Sequence, residues 1–480
     1  MTRLAGQHAL VIGRDPGGDA AVALLRSRGA SVVHTTASTL TSALDPRPDF
    51  AVVSAPAAGH PQLAELAARD IPLLSERELA FRESLCLHVA VAGASGKTTT
   101  AQLIAHILRG AGRRVAIADG TEHPASSFAE TSRDLDFLIH RIEDRELEYL
   151  HFFRPVVGVL LNGPADHPGS EGTWDDYLRR LARLFARQQP FDWAIVQSDT
   201  LAHLQALDAP PPSKVVTFSA FSRTAELGLD RSLLVSRWEG WTGPLWDMQR
   251  GHLHGPHFAE DALAALAVSR VLRLSLDDMT HALESFVPPA GAFETLGEAG
   301  GIRFIDDSRS QNLDALAKSL LALAPSPPEN PTVWLIAGGD ISGRQFYDLG
   351  PTLASRVRHA FVYGEAGPAM RTAWSLFTPC TPAASLLDAA QCAAMQAQPG
   401  DTILFSPACP ASGNTASGPS AGSVFRAVFQ ARSAPASAHA DTGSGPGSPG
   451  TGPRAHPDPA VATEPRQNLF PAGGQAAAKP

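Results

Sequence analysis

One stretch, residues 87–100, constrains the fold of this chain more than any other. An apolar run at residues 87–92 breaks into Gly93-Ala94-Ser95-Gly96 and continues as Lys97-Thr98-Thr99, with helical apolar spacing behind it. A strand that passes through a glycine loop into a helix is the context of a phosphate-binding loop. We therefore predict that residues 93–99 bind the phosphates of a nucleotide.

The residue types in this loop suit that role. Backbone N–H groups beside Gly93 and Gly96 can hold phosphate oxygens at the positive end of the helix, and Lys97 can reach the outer phosphates. The hydroxyl of Thr98 or Thr99 can hold Mg²⁺. The full pattern G-x-x-x-x-G-K-[ST] is not met, because a valine stands where its first glycine would be. The alternative interpretation is an ordinary strand-to-helix turn that binds nothing.

Strand and helix patterns alternate along most of the chain, which predicts an α/β fold with mostly parallel sheets. The 480 residues suit about three domains. We predict a Rossmann-like domain at 1–85, a central P-loop ATPase-like domain at 86–289 and a Rossmann-like domain at 290–432. Residues 433–480 are rich in Ala, Gly, Pro and Ser, so we predict a disordered tail there without a catalytic part.

A second glycine-rich turn follows the first predicted strand. Residues 13–18 read Gly-Arg-Asp-Pro-Gly-Gly and lead into a helix, as in a βαβ unit. The turn is not a proper G-x-G-x-x-G, since Asp15 replaces the second glycine and Pro16 stiffens the loop. Dinucleotide binding at this turn is therefore disfavoured.

Composition excludes several functional classes. The net charge of −9 and pI near 6.0 argue against a protein that binds nucleic acid or a membrane surface. The first residues do not resemble a signal peptide and no apolar run approaches the length of a membrane span, so a cytoplasmic protein is expected. The cysteines lie far apart without a C-x-x-C pair, so neither a zinc site nor a disulfide framework is indicated.

Five stretches carry a resemblance to a known family. They are residues 93–99 (GASGKTT), 161–167 (LNGPADH), 305–312 (IDDSRSQN), 335–340 (LIAGGD) and 404–409 (LFSPAC). In this order the chain resembles the Mur ligases, ATP-dependent enzymes that form amide bonds in peptidoglycan synthesis, over about residues 5–430. The last three stretches look most like the branch that adds D-glutamate to UDP-N-acetylmuramoyl-L-alanine.

The resemblance implies an activity and its participants. ATP would phosphorylate the substrate carboxylate, D-glutamate would attack the acyl phosphate, and phosphate would leave; ATP and Mg²⁺ are the implied cofactors. By position, Lys97 and His167 are the implied catalytic residues, and Thr98 and His167 the implied metal ligands. Asp307 matches a carboxylate that holds the ribose of the nucleotide, and Arg309 stands for a lysine of the same site. The resemblance also implies a monomer that works in cell-wall synthesis and hence in cell shape and division. Its N-terminal domain is expected to hold the UDP moiety.

Some family positions carry other residues in this chain. Arg141 stands where the family has a metal-binding glutamate, and Leu181 where it has a carbamylated lysine. The segment 257–261, His-Phe-Ala-Glu-Asp, replaces H-N-x-x-N, and Ala292 replaces an arginine. Arginine and leucine cannot bind a hard cation such as Mg²⁺. Residues 412–417 depart most from the family, so the accepted amino acid is not indicated.

Two hypotheses follow from these departures. In the first, the chain is a divergent D-glutamate ligase in which neighbouring carboxylates such as Glu143, Asp144 or Asp166 bind the metal. In the second, it is a catalytically degenerate nucleotide-binding protein with a regulatory or scaffold role. The intact Lys97-Thr98-Thr99 agrees with both.

Overall fold

The described residues form three β-sheets that follow one another along the chain. The computed structural model describes residues 4–120, 122–163, 173–323, 327, 330–340, 346–409 and 420–433. The predicted tail at 433–480 therefore lies, apart from its first residue, outside the described residues. Each sheet carries helices, so the predicted α/β class is confirmed. The predicted domain limits stay a prediction.

The first sheet has four parallel strands in the order β2-β1-β3-β4. Its strands are β1 (His8–Ile12), β2 (Ser31–Thr35), β3 (Phe50–Val53) and β4 (Leu73–Ser75), and its helices are α1 (Pro16–Ser27), α2 (Leu63–Ala68) and α3 (Glu76–Glu83). Because β2 and β3 lie on opposite sides of β1, the topological switch point of this sheet falls at the carboxyl end of β1.

The central sheet has nine strands in the order β13-β12-β11-β10-β9-β8-β5-β7-β6. Its strands are β5 (Leu87–Ala92), β6 (Val115–Ala118), β7 (Phe137–Arg141), β8 (Val157–Leu160), β9 (Trp193–Gln197), β10 (Lys214–Ser219), β11 (Leu227–Asp230), β12 (Leu233–Ser236) and β13 (Gly243–Asp247). Its helices are α4 (Lys97–Gly110), α5 (Trp174–Ala182), α6 (Ser198–Ala206), α7 (Pro256–Val271) and α8 (Leu276–Ser285).

The central sheet is mostly parallel, as predicted, but one of its edges is antiparallel. Strands β11, β12 and β13 pair antiparallel with one another, while β5 to β10 pair in parallel. Only two residues, Arg231 and Ser232, connect β11 to β12. So short a connection joins antiparallel strands, because a parallel pair needs a long crossover.

The third sheet has the order β14-β15-β19-β16-β17-β18, with β14 antiparallel to β15 and the other pairs parallel. Its strands are β14 (Glu294–Ala299), β15 (Ile302–Asp306), β16 (Val333–Gly338), β17 (Val357–Tyr363), β18 (Cys380–Pro382) and β19 (Thr402–Phe405). Its helices are α9 (Leu313–Ala322), α10 (Gly350–Arg356), α11 (Gly367–Trp374), α12 (Leu386–Gln396) and α13 (Ala421–Ser433).

The strands bury both of their faces, as a sheet covered by helices on two sides requires. In β5, Val89 and Val91 belong to one apolar cluster, whereas Ala90 and Ala92 belong to the cluster on the opposite face. Leu181 is fully buried in this second cluster. Its side chain therefore has a packing role and cannot replace a metal-binding lysine.

No helix among the described residues combines the length and the apolar character that a membrane crossing needs.

A buried ion pair joins the first sheet to the central one. Arg77, on α3, is fully buried, and its Nε donates to Glu146 Oε1 at 2.8 Å. Its Nη1 also donates to the carbonyl of Ala118, at the carboxyl end of β6, at 3.1 Å. Removing one partner of a buried pair leaves an uncompensated charge, which costs about 3–5 kcal/mol.

We expect Arg77→Ala to lower the free energy of unfolding by about 3–5 kcal/mol, because Glu146 would stay buried without its partner. Urea unfolding followed by fluorescence measures this change. The control is Arg133→Ala, an exposed arginine in the central region, for which a change within about 0.5 kcal/mol is expected. Equal effects of the two variants would contradict a stabilising role for the buried pair.

Candidate active site

The predicted phosphate loop lies between β5 and α4. Gly93 has a φ of +143° and Gly96 a φ of +82°, a region that favours glycine because other residues meet their own Cβ there. Gly96 is the N-cap of α4, so Lys97 is the first helical residue. The N–H groups of the first helical turn have no partner within the helix and point toward the loop. This part of the chain forms the strand, loop and helix that the sequence predicts.

Asn162, two residues after the end of β8, holds the loop in shape. Its carbonyl accepts the N–H of Ala94 at 3.2 Å, and its side-chain Oδ1 accepts the N–H of Ser95 at 2.9 Å. Its Nδ2 donates to the carbonyl of Ser95 at 3.3 Å. Sequence reasoning assigned Asn162 no role. Its position at the end of the strand beside β5 is the signal that could have identified it.

Lys97 is held at the mouth of the loop by an ion pair. Its Nζ lies 2.8 Å from the carbonyl of Gly93 and 3.0 Å from Glu143 Oε2. Glu143 follows β7, which pairs in parallel with β5, so both side chains emerge at the same edge of the sheet. This arrangement places a carboxylate within reach of the groups that the loop would bind.

Arg141 does not take the place of a metal ligand. Its Nη1 donates to Glu143 Oε1 at 2.9 Å, and its Nη2 donates to the carbonyl of Asp119 at 2.7 Å. Burial by itself would raise the pKa of Glu143. The nearby charges of Lys97 and Arg141 outweigh burial and hold that pKa below its usual value. Glu143 is therefore charged at neutral pH.

A buried carboxyl group packs against the loop and the first turn of α4. Asp261, on α7, accepts a hydrogen bond from Thr100 Oγ1 at 2.7 Å. A Cβ on Gly96 would lie 2.5 Å from Asp261 Oδ1, so a side chain at position 96 would collide with this carboxyl group. Burial raises the pKa of Asp261 to about 7. Near neutrality much of it is uncharged, which reduces its repulsion of a bound phosphate.

Polar contacts connect the loop to the third sheet. Ser95 Oγ donates to Asp314 Oδ2 at 3.0 Å, where Asp314 lies in the first turn of α9. Lys318, on the same helix, lies 2.9 Å from Asp314 and 3.5 Å from Glu260 of α7. These contacts place α9 against the phosphate loop.

The two other nucleotide-binding residues implied by the resemblance lie at this junction. Asp307 and Arg309 line the same cavity of about 210 Å³ as residues 94–99 of the loop. Asp307 is buried, and its Oδ2 accepts hydrogen bonds from Ser319 Oγ at 2.6 Å and Ser406 Oγ at 2.9 Å. Burial raises its pKa to about 7. Arg309 is exposed at the rim of the cavity.

His257 is a further lining residue of the cavity. His257 is half-buried, and its ring lies 4.3 Å from that of Phe258 and 5.2 Å from that of Phe293 between ring centroids. Neither ring nitrogen has a hydrogen-bond partner within the described residues. Burial lowers its pKa to about 3, so the imidazole is neutral at physiological pH.

Part of the predicted metal site lies outside the described residues. His167, the implied catalytic and metal-binding histidine, and Asp166 fall in the segment 164–172. Among the residues that the structure describes, no group of three or more His, Cys, Asp and Glu side chains is arranged to hold a metal. Thr98, the other implied ligand, lies in the first turn of α4 and lines the cavity.

Two family models match this chain, one over the part that contains the phosphate loop and one over the part that contains Asp307 and Arg309. Residues 91–269 match the Mur ligase middle domain, and residues 292–409 match the Mur ligase glutamate ligase domain.

Two curated relatives carry the name UDP-N-acetylmuramoylalanine-D-glutamate ligase. The protein of Desulfitobacterium hafniense (strain Y51) is 34% identical over 352 residues, 73% of this chain and 76% of that protein. The protein of Syntrophus aciditrophicus (strain SB) is 29% identical over 432 residues, 85% of this chain and 94% of that protein.

Solved structures show the same fold at low identity. The MurF ligase of Thermotoga maritima in complex with ADP has a TM-score of 0.58 at 15% identity, covering 90% of this chain and 100% of that chain. A pseudomurein peptide ligase type C from Methanothermus fervidus has a TM-score of 0.56 at 14% identity, covering 89% and 100%.

We expect Asp261→Asn to change the pH dependence of stability. The folded protein keeps a proton on Asp261 up to about pH 7, whereas the unfolded chain loses it near pH 3.8. The contribution of this group to stability therefore falls as pH rises from about 4 to 7. Asparagine does not titrate, so the stability of the variant should not show this fall. Relative to the wild type, the melting temperature of the variant should therefore increase across this window, and it should be higher by about 3 °C or more at pH 7.

Differential scanning fluorimetry between pH 4 and pH 8 checks this expectation. Asp230→Asn, at an exposed position of β11, is the control and should follow the wild type at every pH. A constant difference between Asp261→Asn and the wild type would contradict the raised pKa.

Proposed function

Because the chain belongs to the Mur ligase family, we propose that it joins D-glutamate to UDP-N-acetylmuramoyl-L-alanine in peptidoglycan synthesis, using ATP and an acyl-phosphate intermediate. The observation that carries this proposal is the common cavity of the phosphate loop, Asp307 and Arg309. In this cavity, ATP bound at the loop of the central sheet would face Asp307 and Arg309 of the third. The relatives are named as ligases, and no observation favours the scaffold hypothesis.

The family's ATP dependence fits the phosphate loop. The N–H groups at the start of α4 can bind phosphate oxygens, and Lys97 supplies a positive charge at the mouth of the loop. Phosphoryl transfer depends mainly on positioning and on neutralising the charge of the transferred group. Lys97, held between Gly93 and Glu143, would supply the positive charge that such a transfer needs.

The predicted division of the chain gives each part a task in this reaction. Residues 1–85 would hold the UDP moiety, 86–289 would bind ATP, and 290–432 would bind the amino acid. Asp307 and Arg309 would contact the nucleotide from the third domain, and His167 would take part in the reaction together with Lys97. The amine of D-glutamate would attack the phosphorylated carboxyl group at the junction of the second and third domains.

The donor set at the loop fits a phosphate-bound Mg²⁺. This ion is held by one or two carboxylates together with substrate phosphates and water. Glu143 supplies a charged carboxylate 3.0 Å from Lys97 Nζ, and Thr98 supplies a hydroxyl in the first turn of α4. We propose that Thr98 and Glu143, with His167, hold the ion, which would neutralise phosphate charge when bound. Glu143 thus replaces the carboxylate that position 141 lacks.

We expect Lys97→Ala to lower the rate of phosphate release by about 100-fold or more, because the loop loses its charge for the transferred phosphoryl group. The assay contains ATP, Mg²⁺, UDP-N-acetylmuramoyl-L-alanine and D-glutamate. Lys214→Ala, in which the removed ammonium lies 5.0 Å from the Trp193 ring, is the matched control and should retain activity. A wild-type rate no higher than that of Lys97→Ala would contradict the ligase hypothesis. Unchanged ATP affinity in Lys97→Ala would contradict the role of the loop in phosphate binding.

We expect Glu143→Gln to weaken the effect of Mg²⁺ on nucleotide binding. Calorimetry of ADP with and without Mg²⁺ gives the ratio of the two affinities, and this ratio should fall about tenfold because the ion loses its charged ligand. ADP binding without Mg²⁺ should not weaken, which separates loss of the metal ligand from damage to the loop.

Glu148→Gln is the control for this experiment, since Glu148 is a neighbouring carboxylate that pairs with Arg180 at 2.8 Å. The same Mg²⁺ effect in Glu143→Gln, Glu148→Gln and the wild type would show that Glu143 does not bind the ion.

A further inference from the structure

A chain of contacts leads from helix α3 of the first sheet to the carboxylate that pairs with Lys97. Its central member is Glu146, in the 3-10 helix Asp144–Tyr149 that follows β7. The side chain of Glu146 is buried, with 2% of its surface exposed. A carboxylate removed from water needs partners for its oxygens, because a buried charge without partners is costly. What Glu146 holds in place can therefore be read from its partners.

Glu146 binds two different parts of the chain. Its Oε1 accepts a hydrogen bond from Arg77 Nε at 2.8 Å, and its Oε2 accepts the backbone N–H of Glu143 at 3.0 Å. Glu143 is the N-cap of the 3-10 helix and Glu146 is the third residue of that helix, so the second contact is that of a capping box. Glu146 thus connects a side chain of α3 with the backbone of Glu143.

Arg77 is fixed at the far end of this connection. It is fully buried, and its Nη1 donates to the carbonyl of Ala118, at the end of β6, at 3.1 Å. Arg141 binds the next carbonyl of the chain through Nη2 at 2.7 Å, and its Nη1 donates to Glu143 Oε1 at 2.9 Å. Two arginines attached to the end of β6 therefore hold Glu143, one through its carboxylate and the other, by way of Glu146, through its backbone.

The Glu143 carboxylate needs this support because its side chain is only partly enclosed. Its exposed fraction is 39%, and its Oε2 lies 3.0 Å from Lys97 Nζ. The backbone just before it is held by the N–H of Ile142, which donates to the carbonyl of Val91 in β5 at 2.9 Å. Glu146 holds the next N–H. Since Mg²⁺ demands near-ideal octahedral geometry, a carboxylate that binds it must be held in place.

We propose that Glu146 is a positioning residue for the Mg²⁺ site and that, together with Arg77, it holds Glu143 where the Glu143 carboxylate can bind the ion. This inference rests on the proposed function, in which Glu143 is a metal ligand. Glu146 acts through Glu143 rather than on the ion itself. Because Arg77 lies on α3, the metal site of the central sheet then depends on a helix of the first sheet.

Glu146→Gln tests the proposal on the full chain. Glutamine has one carbonyl oxygen, so it can accept from Arg77 or from the Glu143 N–H, but not from both as the carboxylate does. Calorimetry of ADP with and without Mg²⁺ gives the ratio of the two affinities. We expect this ratio to fall about tenfold, the loss typical of a partner that orients a metal ligand, while ADP binding without Mg²⁺ stays as in the wild type.

Asp192→Asn is the matched control. Asp192 is also buried, and its carboxylate also binds an arginine and a backbone N–H, those of Arg154 at 2.7 Å and of Gln189 at 2.7 Å. It directly precedes β9, so it lies at the amino edge of the parallel strands, opposite the phosphate loop. This variant loses a buried charge in the same way, and its Mg²⁺ effect should equal that of the wild type. An equal fall in both variants would show a general effect of lost stability and would overturn the inference.

The double variant Glu143→Gln/Glu146→Gln shows whether Glu146 acts through Glu143. If it does, the second change adds nothing, and the ratio of affinities falls about tenfold, as in Glu143→Gln alone. Independent actions would multiply to a fall of about a hundredfold, which would overturn the inference.

Arg77→Lys approaches the connection from its other end and serves if Glu146→Gln does not fold, which its melting temperature shows. Lysine keeps the charge beside Glu146 but lacks the planar fork that binds Ala118 at the same time. We expect the Mg²⁺ effect on ADP binding to fall several-fold. A wild-type Mg²⁺ effect in this variant would contradict the proposal.

The failure of the positioning role can be told from that of the proposed function. A wild-type Mg²⁺ effect in Glu146→Gln, when the wild type releases phosphate from the full substrates, refutes the positioning role alone. Absence of phosphate release from the wild type refutes the proposed function and this inference with it. A wild-type Mg²⁺ effect in Glu143→Gln would refute both the metal role of Glu143 and the positioning role of Glu146.

Discussion

The candidate site depends on the close approach of Gly96 to Asp261. The phosphate loop can present the first N–H groups of α4 only because Gly96 adopts a left-handed conformation against α7, where a side chain would collide with the Asp261 carboxyl group. Thr100, one turn further along α4, is hydrogen-bonded to the same carboxyl group. Two residues of α9 also reach this region: Lys318 pairs with Glu260 of α7, and Asp314 accepts a hydrogen bond from Ser95 of the loop. The loop is therefore positioned from the central sheet and from the third one.

Charge at the site is arranged in favour of an anionic ligand. Lys97 and Arg309 are cationic, while burial raises the pKa of both Asp261 and Asp307 to about 7. The carboxylate that stays charged, Glu143, does so because Lys97 and Arg141 lie beside it. The pKa of Glu143 is thus lowered beside Lys97, while the raised pKa values of Asp261 and Asp307 leave these buried carboxyl groups partly uncharged near neutral pH.

The two glycine turns illustrate how similar local patterns acquire different uses. In both, a buried parallel strand ends at a glycine with positive φ, and a helix follows. At Gly96 the helix begins without a capping side chain, so its first N–H groups point toward the cavity. At α1 the cap is Asp15, whose carboxylate takes those groups. The residue type at the N-cap decides whether the first N–H groups of the helix are open to a ligand or are taken by the chain itself.

The sequence by itself determined the α/β class, the strand, glycine loop and helix of residues 87–110, and the family. These follow from local signals: apolar runs of strand length, helical spacing after Lys97, and glycines where the backbone needs positive φ. Only the tertiary structure decided which side chains face that loop. Parallel pairing of β5 with β7 brings Glu143 to Lys97, and α7 brings Asp261 under Gly96 from 165 positions away. Likewise, Ser54 reaches Asp15 through the neighbouring strand. The antiparallel edge formed by β11, β12 and β13 was not predicted, because these strands are short and a local sequence pattern does not indicate which strands pair. Contacts between distant segments depend on strand order and register, which a local pattern does not contain.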